Sequence, residues 1–439
     1  MKKEKNINII KNISVLTLGC SKNLVDSENL IGILEANGYT VMQEPEEADS
    51  VIINTCGFIN DAKQESLNLI FSIGAMKKKS NVKKLIVIGC LSQRYKEALM
   101  KQVPDVDHFF GINEYGGILE ALGSRGDFIT FGERYLLTPN HYAYLKISEG
   151  CSHRCAFCAI PIIRGNYISR PIEDIIAEAG AIAEKGVKEL LIIAQDTTFY
   201  GLDLYKERKL GALLEKLALS NRFEWIRLMY TYPAGFPMDV LDVMAAHDSI
   251  CKYIDIPLQH ISDNILEGMK RHIDSAKIKE LISNIREKLP GAAIRSTFIT
   301  GFPGETEEDF EQLYDFIAEY NLDRVGVFTY SHEDSTPAFN LKDNVPEEIK
   351  LLRKEALMIK QAEISLEKNK RLIGTTLRVL IDDEEDGKFI ARSQYDAPEI
   401  DNSVLIDYHD TLKPGDFADV VIYDASEYDL FAAADSKTI

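Results

Sequence analysis

Residues 149–165 read EGCSHRCAFCAIPIIRG, and three cysteines within them, Cys151, Cys155 and Cys158, decide how the rest of the chain is read. Their spacing is Cys-x3-Cys-x2-Cys, directly after the apolar run AYLKIS at 143–148. Three thiolates on one short loop can ligate three irons of a 4Fe–4S cube, leaving the fourth iron open to a small molecule. A structural zinc site calls for a fourth Cys or His nearby. His153 lies inside the loop, badly placed to join the same tetrahedron, so zinc is the weaker reading.

Working outward, the run at 143–148 is the first of six strand-like segments, followed by 188–195, 225–231, 253–258, 293–300 and 324–330, with helical segments between them. Six βα units are too few for a closed eight-stranded barrel, so an open, partial (βα)6 barrel is expected. Upstream, ISVLTLG (13–19), SVIINT (50–55) and LIVIG (85–89) end at Cys20, Cys56 and Cys90. Helical spacing follows at 27–37, with Asp26 or Ser27 as a cap and Gly38 as a stop. Strands alternating with helices predict an open parallel α/β sheet, whose carboxyl edge is where such sheets bind ligands. A lone cysteine reads as a small buried hydrophobe. Three of them at three strand ends point instead to a shared metal site.

Downstream, residues 346–373 read as one long helix, started by Pro346 and stopped by Gly374. Short β-like runs follow: TLRVLID, KFIARSQ, SVLID and FADVVIYDA. They predict a small all-β barrel. With a weakly periodic boundary at 124–140, the expected domains are 1–127, 137–370 and 371–439, an α/β protein carrying a β module.

At 439 residues the chain is long enough for about three domains. No apolar run reaches the 18 residues of a membrane-spanning helix. The N-terminus, MKKEKNINIIKN, lacks the apolar core and cleavage site of a signal peptide, which predicts a cytoplasmic protein without a membrane partner. Seven cysteines in such a chain favour metal or redox chemistry over disulfides, and Cys251, which belongs to neither trio, reads as core. The net charge is −19. Residues 371–439 hold 6 basic and 16 acidic residues, a net of −10. Such a segment repels phosphate backbones and attracts basic partners, unless it is simply a solvated surface. Asp382–Asp386 (DDEED) reads as a solvated hairpin turn.

The three-cysteine loop, with Phe157 just before its third cysteine, resembles the radical S-adenosylmethionine superfamily. Adding LGCSKNLVDSE (18–28), NTCGF (54–58), IGC (88–90) and the C-terminal β module, nearly the whole chain resembles the radical S-adenosylmethionine methylthiotransferase family. The resemblance implies two 4Fe–4S clusters, an auxiliary one on Cys20, Cys56 and Cys90 and a radical-generating one on Cys151, Cys155 and Cys158. It implies an OB-like TRAM module at the C-terminus. It also implies two uses of S-adenosylmethionine, as methyl donor and as radical source, and an electron donor such as flavodoxin or ferredoxin. No catalytic residue is expected beyond the cluster ligands. Cofactor contacts are expected from Phe157, from Gln195 at the end of LLIIAQD, from Arg295 through its guanidinium fork, and from Gly301 in the turn GFPGE.

Two branches of the family compete. One modifies an N6-modified adenosine beside the tRNA anticodon. The other modifies the β-carbon of an aspartate of small-subunit ribosomal protein S-twelve. LGCSKNLVDSE and APEIDNSVLID (397–407) resemble the second branch. The acidic C-terminal segment agrees, because it suits a basic protein substrate better than tRNA. A non-catalytic iron–sulfur carrier is the remaining alternative, and it needs no large barrel.

Overall fold

The computed structural model describes residues 10–124, 129 and 132–434, which fall into two compact units. Of these described residues, the first holds those from 10 to 137 together with 159–165, and the second holds 138–158 and those from 166 to 434. The segment just after Cys158 therefore belongs to the N-terminal unit, which the boundary expected at 137 did not anticipate.

In the first unit the order is β1 (Asn12–Thr17), α1 (Ser21–Ala36), β2 (Thr40–Met42), β3 (Ser50–Thr55), α2 (Asn60–Lys77), β4 (Lys84–Gly89), α3 (Cys90–Gln102), β5 (His108–Phe109) and α4 (Tyr115–Leu122), with α5 (Ile160–Arg164) added from downstream. The strands form one parallel sheet in the order β2-β1-β3-β4-β5. All six residues of β3 are buried, as expected for a central parallel strand covered on both faces. Alternate side chains feed two cores. Ile52, Ile86 and Ile88 meet Leu30, Ile33 and Leu34 of α1 and Ile118 and Leu122 of α4. Ile53, Leu85 and Val87 meet Ile70 and Ile73 of α2 and Leu91 and Leu99 of α3. Each such fully buried aliphatic side chain contributes about 1.5–3 kcal/mol. The short strands β2 and β5 escaped the sequence reading because three and two residues carry no usable period.

The second unit opens with β6 (Tyr142–Lys146) and a small antiparallel pair, β7 (Ser148–Glu149) with β8 (Ile168–Ser169). Parallel strands β9 (Glu189–Ile193), β10 (Trp225–Leu228), β11 (Tyr253–Asp255), β12 (Ala293–Thr300) and β13 (Arg324–Thr329) follow. They pair as β10-β9-β6 and β11-β12-β13, the expected six strands of a partial barrel, with a bridge at Ile226–Ile250 continuing from one sheet toward the other. The long helix spans Glu347–Lys370 behind Pro346. The module after it is a closed barrel of β14 (Thr376–Glu385), β15 (Lys388–Ser393), β16 (Ser403–Asp407), β17 (Phe417–Ala425) and β18 (Asp429–Ala434), in the order β14-β15-β16-β18-β17. β18, with the sequence DLFAAA, was not expected, since its alanines favour helix; closure between β16 and β17 overrides that preference. No helix among the described residues is long and apolar enough to cross a membrane.

The barrel and the central domain form one unit because buried charges join them. Arg227 of β10, fully buried, donates from Nε to Glu189 Oε1 of β9 at 2.7 Å and from Nη1 to the Gln394 carbonyl at 2.7 Å. Arg392 of β15 pairs with the same Glu189. Arg324 reaches Asp396 at 2.5 Å, and Arg295 reaches Asp401 at 3.2 Å. This corrects the reading of the acidic segment. Asp396 and Asp401 are buried and neutralised internally. Asp382 is no solvated turn residue either: it lies in β14 and pairs with His141 and with Arg392, each at 2.8 Å. Only Asp383–Asp386 of the acidic run are exposed, around the Asp386–Gly387 turn between β14 and β15.

Candidate functional site

In the N-terminal unit β1 pairs with both β2 and β3, so the connections from β1 and β3 leave to opposite faces. That switch opens a crevice at the carboxyl ends of those two strands. Cys20 caps α1 there, and Cys56 directly follows β3. Cys90 is the first residue of α3, behind β4. Helix N-termini are positive ends that favour thiolates and other anions. Two glycines let the three loops touch. A Cβ on Gly19, whose φ is +93°, would stand 3.2 Å from Cys56 Sγ, and one on Gly57 would stand 2.7 Å from Leu91 Cα.

A buried polar network holds these loops. Asn23 Nδ2 donates to the carbonyls of Leu18 at 3.0 Å and Thr55 at 3.1 Å. Asn54 Nδ2 donates to the Asn23 carbonyl and to Ser27 Oγ, both at 2.9 Å. The Ser66 hydroxyl accepts from the Cys56 N–H and donates to the Cys56 carbonyl. Burial pushes the Cys90 thiol up to about 12 against the opposing Arg164 charge, and negative charge on Cys20 or Cys56 would push it further. The three sulfurs are therefore in electrostatic reach of one another. Burial raises Cys56 too. Without metal such thiols keep their protons; a bound cation displaces them and recruits thiolates.

In the second unit the Cys151–Cys158 loop leaves the carboxyl end of the barrel after β7. It turns tightly: the Cys155 N–H donates to the His153 carbonyl and the Cys158 N–H to the Cys155 carbonyl, both at 3.1 Å. Ala156 pins the loop, its N–H donating to the Met269 carbonyl and its carbonyl accepting from Ala338. His153 is engaged by other partners, with Nε2 2.6 Å from Asp196 Oδ2 and its ring stacked on Tyr232 at 3.7 Å. The Tyr232 hydroxyl donates to the Arg271 carbonyl and lies 3.7 Å from Cys155 Sγ. Arg271, buried, donates to the same sulfur at 3.5 Å and covers the Tyr232 ring. Burial pushes Cys151 up to about 12.

The structure gathers Cys20, Cys56 and Cys90 on one sheet edge and holds Cys151, Cys155 and Cys158 on one loop. No three His, Cys, Asp or Glu side chains among the described residues converge tightly enough to hold a single metal ion. An all-thiol donor set with buried arginines beside its sulfurs fits a multinuclear, anionic cluster better than a lone zinc. Phe157 packs beside Ile265, Met269, Phe302 and Tyr330. Gln195 follows β9 next to Asp196, at the same end of the barrel. Gly301 makes its turn after β12 with φ +77°, its N–H on Glu305 Oε2 at 2.8 Å and Lys350 filling the space a Cβ would need. Arg295 is placed elsewhere: it lies in the amino-terminal half of β12, its guanidinium 2.9 Å from Asp255 and 3.2 Å from Asp401. Both carboxylates already satisfy it, so the geometry gives it an anchoring role. Cys251 is fully buried core.

Sequence reading passed over Asn23, Arg164, Tyr232 and Arg271, and read Asp26 as a helix cap, whereas α1 begins at Ser21 behind Cys20 and Asp26 lies inside it, 2.9 Å from Arg164. Asn23 and Asp26 stand inside LGCSKNLVDSE, and Arg164 near the end of EGCSHRCAFCAIPIIRG, so the signal was polar residues in cysteine motifs with no role assigned at the site. Tyr232 and Arg271 carried no such signal. A cleft of about 1000 Å3, lined by Lys188, Trp225, Arg378 and Phe417, sits at the amino ends of β9 and β10, away from the cysteine loop.

Residues 12–111 match the uncharacterized protein family UPF0004, 145–317 the radical SAM superfamily and 373–434 the TRAM domain. The chain is 51% identical over 420 residues to the ribosomal protein uS12 methylthiotransferase RimO of Flavobacterium psychrophilum, covering 95% of this chain and 97% of that protein. It is 50% identical to the protein of the same name from Cytophaga hutchinsonii, with 95% and 97% covered. The chain belongs to the ribosomal protein uS12 methylthiotransferase family. Its fold is also similar to that of the radical S-adenosylmethionine methyltransferase TsrM from Kitasatospora setae, with a TM-score of 0.56 at 12% identity over 92% of this chain and 84% of that one. The first of the regions matched in this chain contains Cys20, Cys56 and Cys90, and the second contains Cys151, Cys155 and Cys158.

Proposed function

We propose that this chain methylthiolates ribosomal protein uS12 at the β-carbon of an aspartate. The observation that carries the reading is identity of about one half, over 95% of the chain, with relatives of that name. The chain is a radical S-adenosylmethionine methylthiotransferase, and S-adenosylmethionine and a 4Fe–4S cluster are its family's cofactors. When held by Cys151, Cys155 and Cys158, that pair supplies a radical able to open an unactivated C–H bond, which acid–base groups cannot do at neutral pH. The protein's part is to hold and shield. Ala156 fixes the loop by its two backbone hydrogen bonds, and Phe157, Met269, Phe302 and Tyr330 form an apolar wall behind it that excludes water. Tyr232 and Arg271 brace Cys155.

The finer assignments belong to the same proposal. Cys20, Cys56 and Cys90 hold a second 4Fe–4S cluster, supported by their gathering on one sheet edge, with Cys20 and Cys56 at its switch point. Phe157, Gln195 and Gly301 contact the cofactor, supported by their place at the carboxyl end of the barrel. A flavodoxin or ferredoxin supplies electrons, and the reaction takes place in the cytoplasm, where ribosomal protein is made.

The test gives reconstituted protein, S-adenosylmethionine and a chemical reductant either a uS12 peptide containing the aspartate or isopentenylated tRNA. Mass spectrometry should find the methylthio group on the peptide. Methylthiolated tRNA with an unmodified peptide would reassign the chain to the tRNA reaction.

A further inference from the structure

Arg164 lies six residues beyond Cys158 in the chain, yet its side chain is buried in the N-terminal unit, 1% exposed. One nitrogen, Nη2, stands 2.6 Å from Asn23 Oδ1, 2.9 Å from Asp26 Oδ2 and 3.6 Å from Cys90 Sγ. Asn23 cannot turn to meet it differently, because its Nδ2 is committed to the Leu18 and Thr55 carbonyls. Its Oδ1 therefore points at the guanidinium and at Cys90, whose thiol donates to it at 3.4 Å. When Cys90 becomes a thiolate, that donor hydrogen is gone, and a carbonyl oxygen is left facing a negative sulfur. Arg164 is the cation already in place to donate there.

We propose that Arg164 is a positioning residue for the auxiliary cluster: it hydrogen-bonds the Cys90 thiolate and raises the cluster's reduction potential. The inference rests on the reading that Cys20, Cys56 and Cys90 hold a cluster. A buried cation beside an anionic cluster favours the more negative, reduced state, and hydrogen bonds to cluster sulfurs act in the same direction. Asp26 opposes this by neutralising part of the guanidinium charge. The two residues should therefore move the potential in opposite directions. A purely mechanical tether between Arg164 and Asp26 would move it in neither.

The experiment uses the full-length chain with Cys151, Cys155 and Cys158 all changed to Ala, so that only the auxiliary site can load, and follows its potential by an electron-spin-resonance redox titration. If this protein binds no iron, the auxiliary-cluster reading fails before Arg164 is tested. If it binds a cluster, Arg164→Gln should lower the potential, Arg164→Lys should recover most of the shift, and Asp26→Asn should raise the potential. Unchanged potentials in Arg164→Gln and Asp26→Asn would overturn the proposal. Should Arg164→Gln take up no cluster, Asp26→Asn decides: a potential that stays put or falls there overturns it as well.

Discussion

The two cysteine trios solve one chemical problem in opposite ways. Cys151, Cys155 and Cys158 share an eight-residue loop, held by its own turns and by the backbone bonds of Ala156. Cys20, Cys56 and Cys90 are drawn from three strand ends, and they share one edge only when β1, β3 and β4 have paired and Gly19 and Gly57 let the loops close. Each trio has a buried arginine on one sulfur, Arg271 on Cys155 and Arg164 on Cys90. The local trio is a property of a segment, whereas the dispersed trio is a property of a folded sheet. Metal binding at the second should therefore be more tightly coupled to the folding of its unit.

The sharpest way to break this comparison is to remove one trio at a time. Reconstituted protein should hold about eight irons if each trio carries a 4Fe–4S cluster, and about four when either trio is replaced by alanine. Cys155→Ala should abolish both 5′-deoxyadenosine and methylthiolated product. Cys56→Ala should abolish the product while leaving 5′-deoxyadenosine formation. Product from Cys56→Ala, measured by mass spectrometry, would remove the auxiliary site from the reaction.

The dispersed trio should also fail without touching any cysteine. In Gly57→Ala the new Cβ would stand 2.7 Å from Leu91 Cα and 2.9 Å from the Cys90 carbonyl carbon, both backbone atoms that cannot move aside cheaply. Overpacking of this kind costs about 1–3 kcal/mol. Iron content should fall toward half, with the loss confined to the auxiliary site, and 5′-deoxyadenosine formation should persist. A full iron complement in Gly57→Ala would mean that the three loops need not close for the cluster to bind.

The difference between the trios also explains what could be read from the sequence. A motif inside eight residues is visible without any fold, and so were the six barrel strands around it, one before the motif and five after it. The dispersed trio needed one further inference, that parallel strands end on one edge, and β1, β3 and β4 bear that topology out. What stayed hidden depends on side-chain geometry. Asp382, Asp396 and Asp401 read as acidic surface because pairing with His141, Arg392, Arg324 and Arg295 is not a property of composition. Arg295 read as a cofactor ligand because its residue type fits a carboxylate; the carboxylates it meets are the protein's own. β18 was invisible because only barrel closure makes a strand of it.

A smaller effect separates the two arginines. A hydrogen bond to a charged group contributes about 1.5–3 kcal/mol, so Arg271→Gln should slow 5′-deoxyadenosine formation by about tenfold or more. Its iron content should stay unchanged, because the loop is held by backbone bonds as well. The measurement is the rate of cofactor cleavage at saturating S-adenosylmethionine, alongside iron analysis. Loss of iron in Arg271→Gln would show that the contiguous loop is not self-supporting and would erase its contrast with the dispersed trio.

The smallest effect concerns pH and the sheet that carries the dispersed trio. The Asp49 carboxylate accepts from the backbone N–H groups of Asn12 and Lys11, each at 3.0 Å, and from Lys83 at 2.8 Å, joining the starts of β1, β3 and β4. The Asn12 N–H and the Lys83 side chain do most to hold it near 2, below the ordinary value of 3.8. A carboxylate whose folded value is depressed stabilises the fold fully above its unfolded value, and the contribution fades as pH falls from about 4 toward 2. Unfolding of the N-terminal unit should therefore become easier across that window, and Asp49→Asn should flatten this part of the acid limb while lowering stability at neutral pH. Amide hydrogen exchange on β1 and β3 at pH 4 and at pH 2.5, in both proteins, measures it. An equally steep acid limb in Asp49→Asn would move the acid sensitivity of the trio's sheet to other carboxylates.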